Sequence, residues 1–442
     1  RAARRAAGAV VAGALAVAPV APAVAAPGPH GRVGLPDALV APAAGARALG
    51  GRGTLAFVSL GRLLVLDGRT GRLVAVTGSD ETASSPEYSP GGRWLAYSTR
   101  PAGRPAPGGR PAELVATADG TRPHRVPGAT GGSWLPDGRL VAGRYLWRVG
   151  PSGAPERVGR VPSGLVAWAP DGSAYAFVES TLPAGLARAA SGVERLEVAR
   201  TLSGPRTTWY ETRVSYSPSG GFTGEFVYSA TVRSRGRGVL FTLDPYRSAS
   251  LAADGLPLEL LSRPGARPER LGVTVRGAVA VSPRGPSVAF VDGPGRDAWG
   301  SKHVETCGGS PARCSPVRSP AGELTMDPAW SPTGRSLAFV VAAPGTASGF
   351  SPSDLDRWYA TRRLWVAAAG GAAHALAGTA GAAAPLWSAD GRELLYVSGD
   401  ALWVRRVAGG ASERVAGPLF APGSWPSFDG SVDWSAQFAW SS

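Results

Sequence analysis

One short pattern recurs seven times and sets what this chain can become: an apolar or aromatic residue, a small residue (leucine in the second copy), proline (alanine in the last), any residue, then glycine. The copies are Tyr88-Ser89-Pro90-Gly91-Gly92, Trp134-Leu135-Pro136-Asp137-Gly138, Trp168-Ala169-Pro170-Asp171-Gly172, Tyr216-Ser217-Pro218-Ser219-Gly220, Val281-Ser282-Pro283-Arg284-Gly285, Trp330-Ser331-Pro332-Thr333-Gly334 and Trp387-Ser388-Ala389-Asp390-Gly391. Their third positions step by 46, 34, 48, 65, 49 and 57 residues. A mean near 50 suits a four-stranded propeller blade and is too long for a leucine-rich or ankyrin unit. Each copy is turn chemistry, because proline fixes φ and glycine supplies positive φ.

A half-buried strand follows each turn: Leu95-Ala96-Tyr97, Tyr175-Ala176-Phe177, Val288-Ala289-Phe290, Leu337-Ala338-Phe339 and Leu394-Leu395-Tyr396. The small central residue suits close sheet packing, and the large neighbours point to the opposite face. A third strand reads Leu146-Trp147-Arg148-Val149, Leu364-Trp365-Val366 and Leu402-Trp403-Val404, and a fourth carries Arg125-Val126, Arg157-Val158 and Arg414-Val415. Glycine (62) and proline (40) exceed a fifth of the 442 residues, which the repeated turns account for.

These turns and strands resemble the repeats of TolB and related WD40-like (PD40) propellers, over roughly residues 51 to 440. The resemblance implies an all-β fold, a single β-propeller of four-stranded blades. Residues 55–76 supply three strands without a preceding turn motif. At the other end, Val432-Asp433-Trp434-Ser435 and Phe438-Ala439-Trp440 stand one repeat length beyond Trp387. The last strand is therefore expected to complete the first blade, which removes a free sheet edge at the ring's seam. That gives eight blades, with seven as the alternative.

Upstream, Arg1, Arg4 and Arg5 precede an Ala/Val/Gly run and the small-x-small site Ala23-Val24-Ala25. This is the pattern of a signal peptide over residues 1–25, and it leaves the Sec and twin-arginine routes open. Residues 26–50 read as an Ala/Gly/Pro-rich linker and 51–442 as the propeller. Export makes the spacing of Cys307 and Cys314 a disulfide expectation. No transmembrane span is expected after signal removal, and the protein is expected to be a secreted or envelope-associated monomer.

Catalytic signals are thin. Prolyl-oligopeptidase-type enzymes carry similar propellers beside a hydrolase domain, but no G-x-S-x-G turn occurs here. Pectin-degrading relatives of this repeat type hold a metal with several histidines; His30, His124, His303 and His374 are the only four present. No metal and no cofactor are expected, and Asp354-Leu355-Asp356 reads as a polar loop. The net charge of +14 is spread along the chain rather than gathered, which argues against nucleic acid and leaves room for an anionic envelope surface. TolB itself has a further N-terminal domain and an envelope complex. Residues 27–50 are too few for that domain, so its role is not carried over.

The expected function is non-catalytic binding of a protein or an anionic cell-envelope polymer. The alternative is a polysaccharide lyase or hydrolase using charged residues at the channel mouth. Long insertions are expected between second and third strands at residues 100–112, 181–193, 293–315 and 343–362, all on one face, with a further one at 246–255 on the opposite face. Binding residues favour loops on a rigid scaffold. The candidates are Arg296, Trp299, Lys302 and His303 in one insertion, and Asp354, Asp356, Arg357, Trp358 and Tyr359 in another, since Trp, Tyr and Arg dominate binding hot spots.

Overall fold

The computed structural model describes residues 42–103, 111–161, 166–183, 188–275, 277–345, 351–368, 372–421 and 430–442. They form eight antiparallel sheets arranged as a β-propeller. Blade 1 joins Thr54–Ser59, Arg62–Asp67 and Leu73–Ala75 to the C-terminal strand Phe438–Ser441. Blade 2 runs from Glu81–Tyr88 to His124–Val126, blade 3 from Gly132–Trp134 to Pro155–Arg160, and blade 4 from Val166–Trp168 to Gly221–Gly224. Blade 5 runs from Phe226–Val232 to Glu269–Thr274 and blade 6 from Val279–Val281 to Arg313–Pro316. Blade 7 spans Leu324–Trp330 to Ala373–Ala375 and blade 8 Ala382–Trp387 to Glu413–Ala416. Seven blades have four strands; blade 4 has five.

The recurring motif joins first and second strands and explains itself atom by atom. The amides of Gly92, Gly138, Gly172, Gly334 and Gly391 donate to the carbonyls three residues back, and all five glycines have positive φ. The serine has a second job: Ser89, Ser331 and Ser388 accept the amides of Trp94, Ser336 and Glu393 at 3.1, 3.1 and 2.9 Å. The tryptophan stitches blades together. Indole N–H groups of Trp134, Trp330 and Trp387 donate to the carbonyls of Glu87, Ala280 and Ala329 in the preceding blades. The core lies in the seams, as where Trp94, Ala96, Val115 and Val126 of blade 2 meet Trp134, Leu140 and Trp147 of blade 3. The central alanines Ala96, Ala176, Ala289 and Ala338 are 1% exposed or less, as close packing requires.

One copy of the motif misleads. Tyr216 to Gly220 lies at the outer edge of blade 4, between Thr207–Ser217 and Gly221–Gly224. The first turn of blade 5 is Arg233 to Gly238, which has no such motif. It is held through side chains instead: Arg233 Nε donates to Pro286 O at 2.6 Å and Ser234 Oγ to Ser282 O at 2.5 Å. A further correction follows. Tyr246 to Gly255 comes after the second strand of blade 5, Val239–Asp244, so it shares the face of the other insertions.

The ring closes as expected, with Leu55 opposite Trp440 and Phe57 opposite Phe438. A second clasp lies within the stretch read as linker. Pro42–Ala48 is a short helix, followed by a fully buried Leu49. Gly45 sits so tightly on the outer strand of blade 8 that a Cβ there would be 2.4 Å from Val415 O. Residues 1–41, which include the expected signal peptide, lie outside the described residues. Among those described, no helix is long and apolar enough to cross a membrane.

Cys307 and Cys314 are disulfide-bonded. They pair directly across His303–Gly308 and Arg313–Pro316, the third and fourth strands of blade 6. The bridge therefore pins an outer hairpin, not the insertion before it. Its loss is expected to lower stability by roughly 2.5 kcal/mol on the chain-entropy model for so short a loop. Denaturant melts of a Cys307→Ser, Cys314→Ser variant measure this, and an unchanged midpoint contradicts it.

Candidate interaction face

The two faces of the ring differ in how far they satisfy themselves. On the turn face, neighbouring first-to-second turns bond to one another. Asp171 accepts the Arg235 amide at 2.7 Å and Arg284 Nε donates to Pro332 O at 3.3 Å, while at the seam Arg52, just before the strand Thr54–Ser59, pairs with Asp390 of the blade 8 turn at 3.1 Å. The opposite, loop face carries the second-to-third connections and the links between blades. It is low where blades 1, 3 and 8 make two-residue turns at Leu60-Gly61, Gly143-Arg144 and Gly399-Asp400, and tall over blades 4 to 7.

The tall side is built from connections that hold each other. Arg296 of the blade 6 connection pairs with Asp254 at 2.6 Å and donates to Ser250 Oγ, both in the blade 5 connection. The guanidinium holds the Asp254 carboxyl below the usual carboxylate range. Lys302 is buried and caps the carbonyls of Gly293, Pro294 and Gly295. A compact ammonium with three donors suits that cup, whereas a planar guanidinium does not. Burial pulls this amine down from its ordinary value.

Trp299, Trp358 and Tyr359 correct the expectation that they are displayed. They are 7%, 6% and 4% exposed and pack as a cluster, Trp299 edge-on to Trp358 at 5.9 Å. Trp358 Nε1 donates to Ala343 O, and Tyr359 OH to Gly430 O in the blade 8-to-blade 1 link. Ser431 of that link donates to Arg296 O. The aromatics thus bind three connections into one body. Trp358→Ala is a core truncation here, of the kind that costs about 3–5 kcal/mol.

Asp354, Asp356 and Arg357 lie not in a loop but on the helix Pro352–Thr361, whose N-cap is Ser351. Asp354 accepts from Ser351 and pairs with Arg357, whose side chain is 71% exposed. Asp356 is exposed. His303 stands at the foot of the blade 6 connection, its Nε2 3.3 Å from Asp292 and 3.5 Å from Glu305. Burial raises the Glu305 carboxyl. Among the described residues no cluster of three or more His, Cys, Asp or Glu is set to hold a metal.

Three residues were missed in the sequence. Leu60, Tyr246 and Leu251 are 36%, 58% and 36% exposed, and they are the large apolar side chains left exposed among the described residues. All three are on the loop face. Tyr246 and Leu251 flank the start of the helix Ala249–Asp254 in the blade 5 connection. The next residue, Arg247, has φ +50°, a strained value for a side-chain-bearing residue. Its guanidinium lies over Phe222 and Phe226 at 5.2 and 4.7 Å and 3.8 Å from the buried Glu194. Beside it the strands Ala190–Ala199 and Thr207–Ser217 run past Ser180, the end of the second strand, as a tongue. A hollow of about 660 Å3 on the tongue is lined by Ser191, Arg213, Ser215 and Thr223 among others. The sequence signal for Tyr246 was the missing turn motif in blade 5, which shifts the strand count by one.

The fold and this face define an eight-bladed propeller with one self-satisfied face and one decorated face. No family model matches the chain, and no curated protein matches its sequence. Solved structures resemble it at low identity. An oligogalacturonate lyase in complex with manganese is 14% identical, with 86% of this chain and 89% of that one covered and a TM-score of 0.43. TolB from Acinetobacter baumannii is 13% identical, with 83% of this chain and 64% of that one covered and a TM-score of 0.33. Dipeptidyl peptidase 4 from Porphyromonas gingivalis is 10% identical, with 81% of this chain and 57% of that one covered and a TM-score of 0.45. These proteins differ from one another in what they do, and at these identities the likeness is one of fold alone.

Proposed function

We propose that the chain works by binding, through the loop face, a protein or an anionic polymer of the cell envelope. One observation carries this reading: among the described residues, the three exposed large apolar side chains are all on the loop face, while neighbouring turns on the opposite face bond to one another. An exposed tyrosine on a connection anchored at both ends is a rigid contact, which loses little side-chain entropy on binding. The overall charge of +14 favours an anionic partner. The reading places the protein outside the cytoplasm, on the N-terminal pattern and the disulfide. N-terminal sequencing of exported protein is expected to begin near Ala26.

The binding test compares two surfaces. Envelope components retained by immobilised protein are measured for the wild type, for Tyr246→Ser with Leu251→Ser, and for Arg139→Ser on the turn face. Loss of a tyrosine hot spot weakens binding by about 30-fold or more. The loop-face variant is expected to lose retention with an unchanged melting temperature, and the turn-face variant to keep it. Retention that survives the first change and disappears with the second refutes the assignment.

A further inference from the structure

Among the described residues, carboxylates in three seams of this ring are matched by arginines, while the buried Asp244 and Glu259 of blade 5 have no ion-pair partner. Glu194, between blades 4 and 5, has Arg247 at 3.8 Å. Asp327, between blades 7 and 8, is paired with the buried Arg362. Glu393, between blades 8 and 1, lies 3.6 Å from Arg52 and 3.7 Å from Arg406.

The seam between blades 2 and 3 differs from those three. Two carboxyls enter it from blade 2, Glu87 on the innermost strand and Glu113 on the third. Glu113 is 1% exposed, and a Cβ on Gly132 would stand 2.9 Å from its Oε1. Ser98 Oγ donates to Glu113 at 2.7 Å. Glu87 accepts from Ser133 Oγ at 2.9 Å and from the Trp134 amide at 3.2 Å, both in blade 3. Among the described residues neither carboxyl has a basic partner within ion-pair distance. Around them blade 3 presents Gly132, Trp134, Leu140 and Ala142, and blade 2 presents Ala96, Ser98 and Val115. The charged group on the same side of the second strand, Arg100, is exposed at its upper end and donates to Thr82 Oγ1, and on the fourth strand His124, opposite Val115, faces the same seam beside Trp94 and Gly153. Two anions in an apolar seam with only neutral donors are disfavoured, so the closed seam selects the protonated acids.

We propose that the joint between blades 2 and 3 is a proton-operated seam, sealed while Glu87 and Glu113 are neutral and loosened when both lose their protons. Burial, together with the mutual repulsion felt by Glu113, pushes the two carboxyls up from 4.5 to about 7 and about 8. The sign follows from linkage. Between the ordinary carboxylate range and pH 7–8 the unfolded chain has released protons that the folded chain keeps, so stability falls as pH rises through that window.

Two readouts decide it. Near pH 6, unfolding of the wild type is expected to release about two protons through these groups, read from the pH slope of the unfolding constant. Glu87→Gln and Glu113→Gln each remove about one, and the double variant flattens the slope. Separately, amide exchange of residues 132–134, corrected for its intrinsic pH dependence, is expected to speed up at least tenfold between pH 6 and 8.5. Exchange at residues 382–387, in the arginine-matched seam of blades 7 and 8, is expected not to. An unchanged slope in the double variant overturns the proposal. If the variants do not fold, equal acceleration of the two wild-type seams overturns it as well.

Discussion

Removal of residues 438–442 is expected to abolish the cooperative melt of the whole ring rather than to trim a tail. Four residues of blade 1 would lose their ladder partners: Thr54, Leu55, Ala56 and Phe57 pair with Ser441, Trp440, Ala439 and Phe438. Phe438 is 7% exposed, and deleting a buried phenylalanine side chain costs about 3–5 kcal/mol. The truncation also bares a strand edge toward the channel and removes Ser442 Oγ, which accepts the Ala389 amide of blade 8 at 2.7 Å. Domains of ordinary stability hold only about 5–15 kcal/mol in total. Size-exclusion chromatography and thermal melts are expected to show aggregated or non-cooperative protein, whereas removing Ser442 alone leaves a cooperative transition. A truncated protein that melts with the parent would locate the seam elsewhere.

What the sequence made legible was whatever repeats. The turn, the alanine-centred second strand and the Leu-Trp-Val third strand recur because eight seams impose the same packing. The disulfide was legible from spacing. Blade 5 was not, because its first turn swaps the motif for Arg233 and Ser234, whose bonds to blade 6 no local pattern announces. The helix Pro42–Ala48 was hidden for a related reason. Its Ala/Gly composition looks like a linker, yet Gly45 is small because Val415 lies against it. The rim was half legible. Sequence located most of the long connections, but an aromatic residue in a loop reads the same whether it faces a partner or its own scaffold. Only packing separates Trp358, at 6% exposure, from Tyr246, at 58%.

The second large effect is expected where the rim meets the channel wall. Arg362 follows the helix Pro352–Thr361 and is 2% exposed, with its guanidinium over Trp358 and Tyr359 at 5.2 and 4.6 Å. It donates to Asp327, which sits at a bulge of the first strand of blade 7 with φ +50°. The same carboxylate oxygen accepts the Ala384 amide at 3.0 Å, at the matching bulge of blade 8. One aspartate therefore holds the rim helix, its own strained bulge and the next blade. Asp327→Ala leaves a buried cation without a partner, and breaking such a pair costs about 3–5 kcal/mol. Arg362→Met is expected to cost less. Asp327 is 29% exposed, so water can take over part of the lost contact, and the thioether can fill space against the two rings. The double variant is then expected to be more stable than Asp327→Ala alone, because the stranded charge is gone. Denaturant melts of the three variants give the coupling energy directly. Strict additivity, with Asp327→Ala no worse than Arg362→Met, would mean that the pair neither anchors the helix nor transmits changes at the rim to the channel wall.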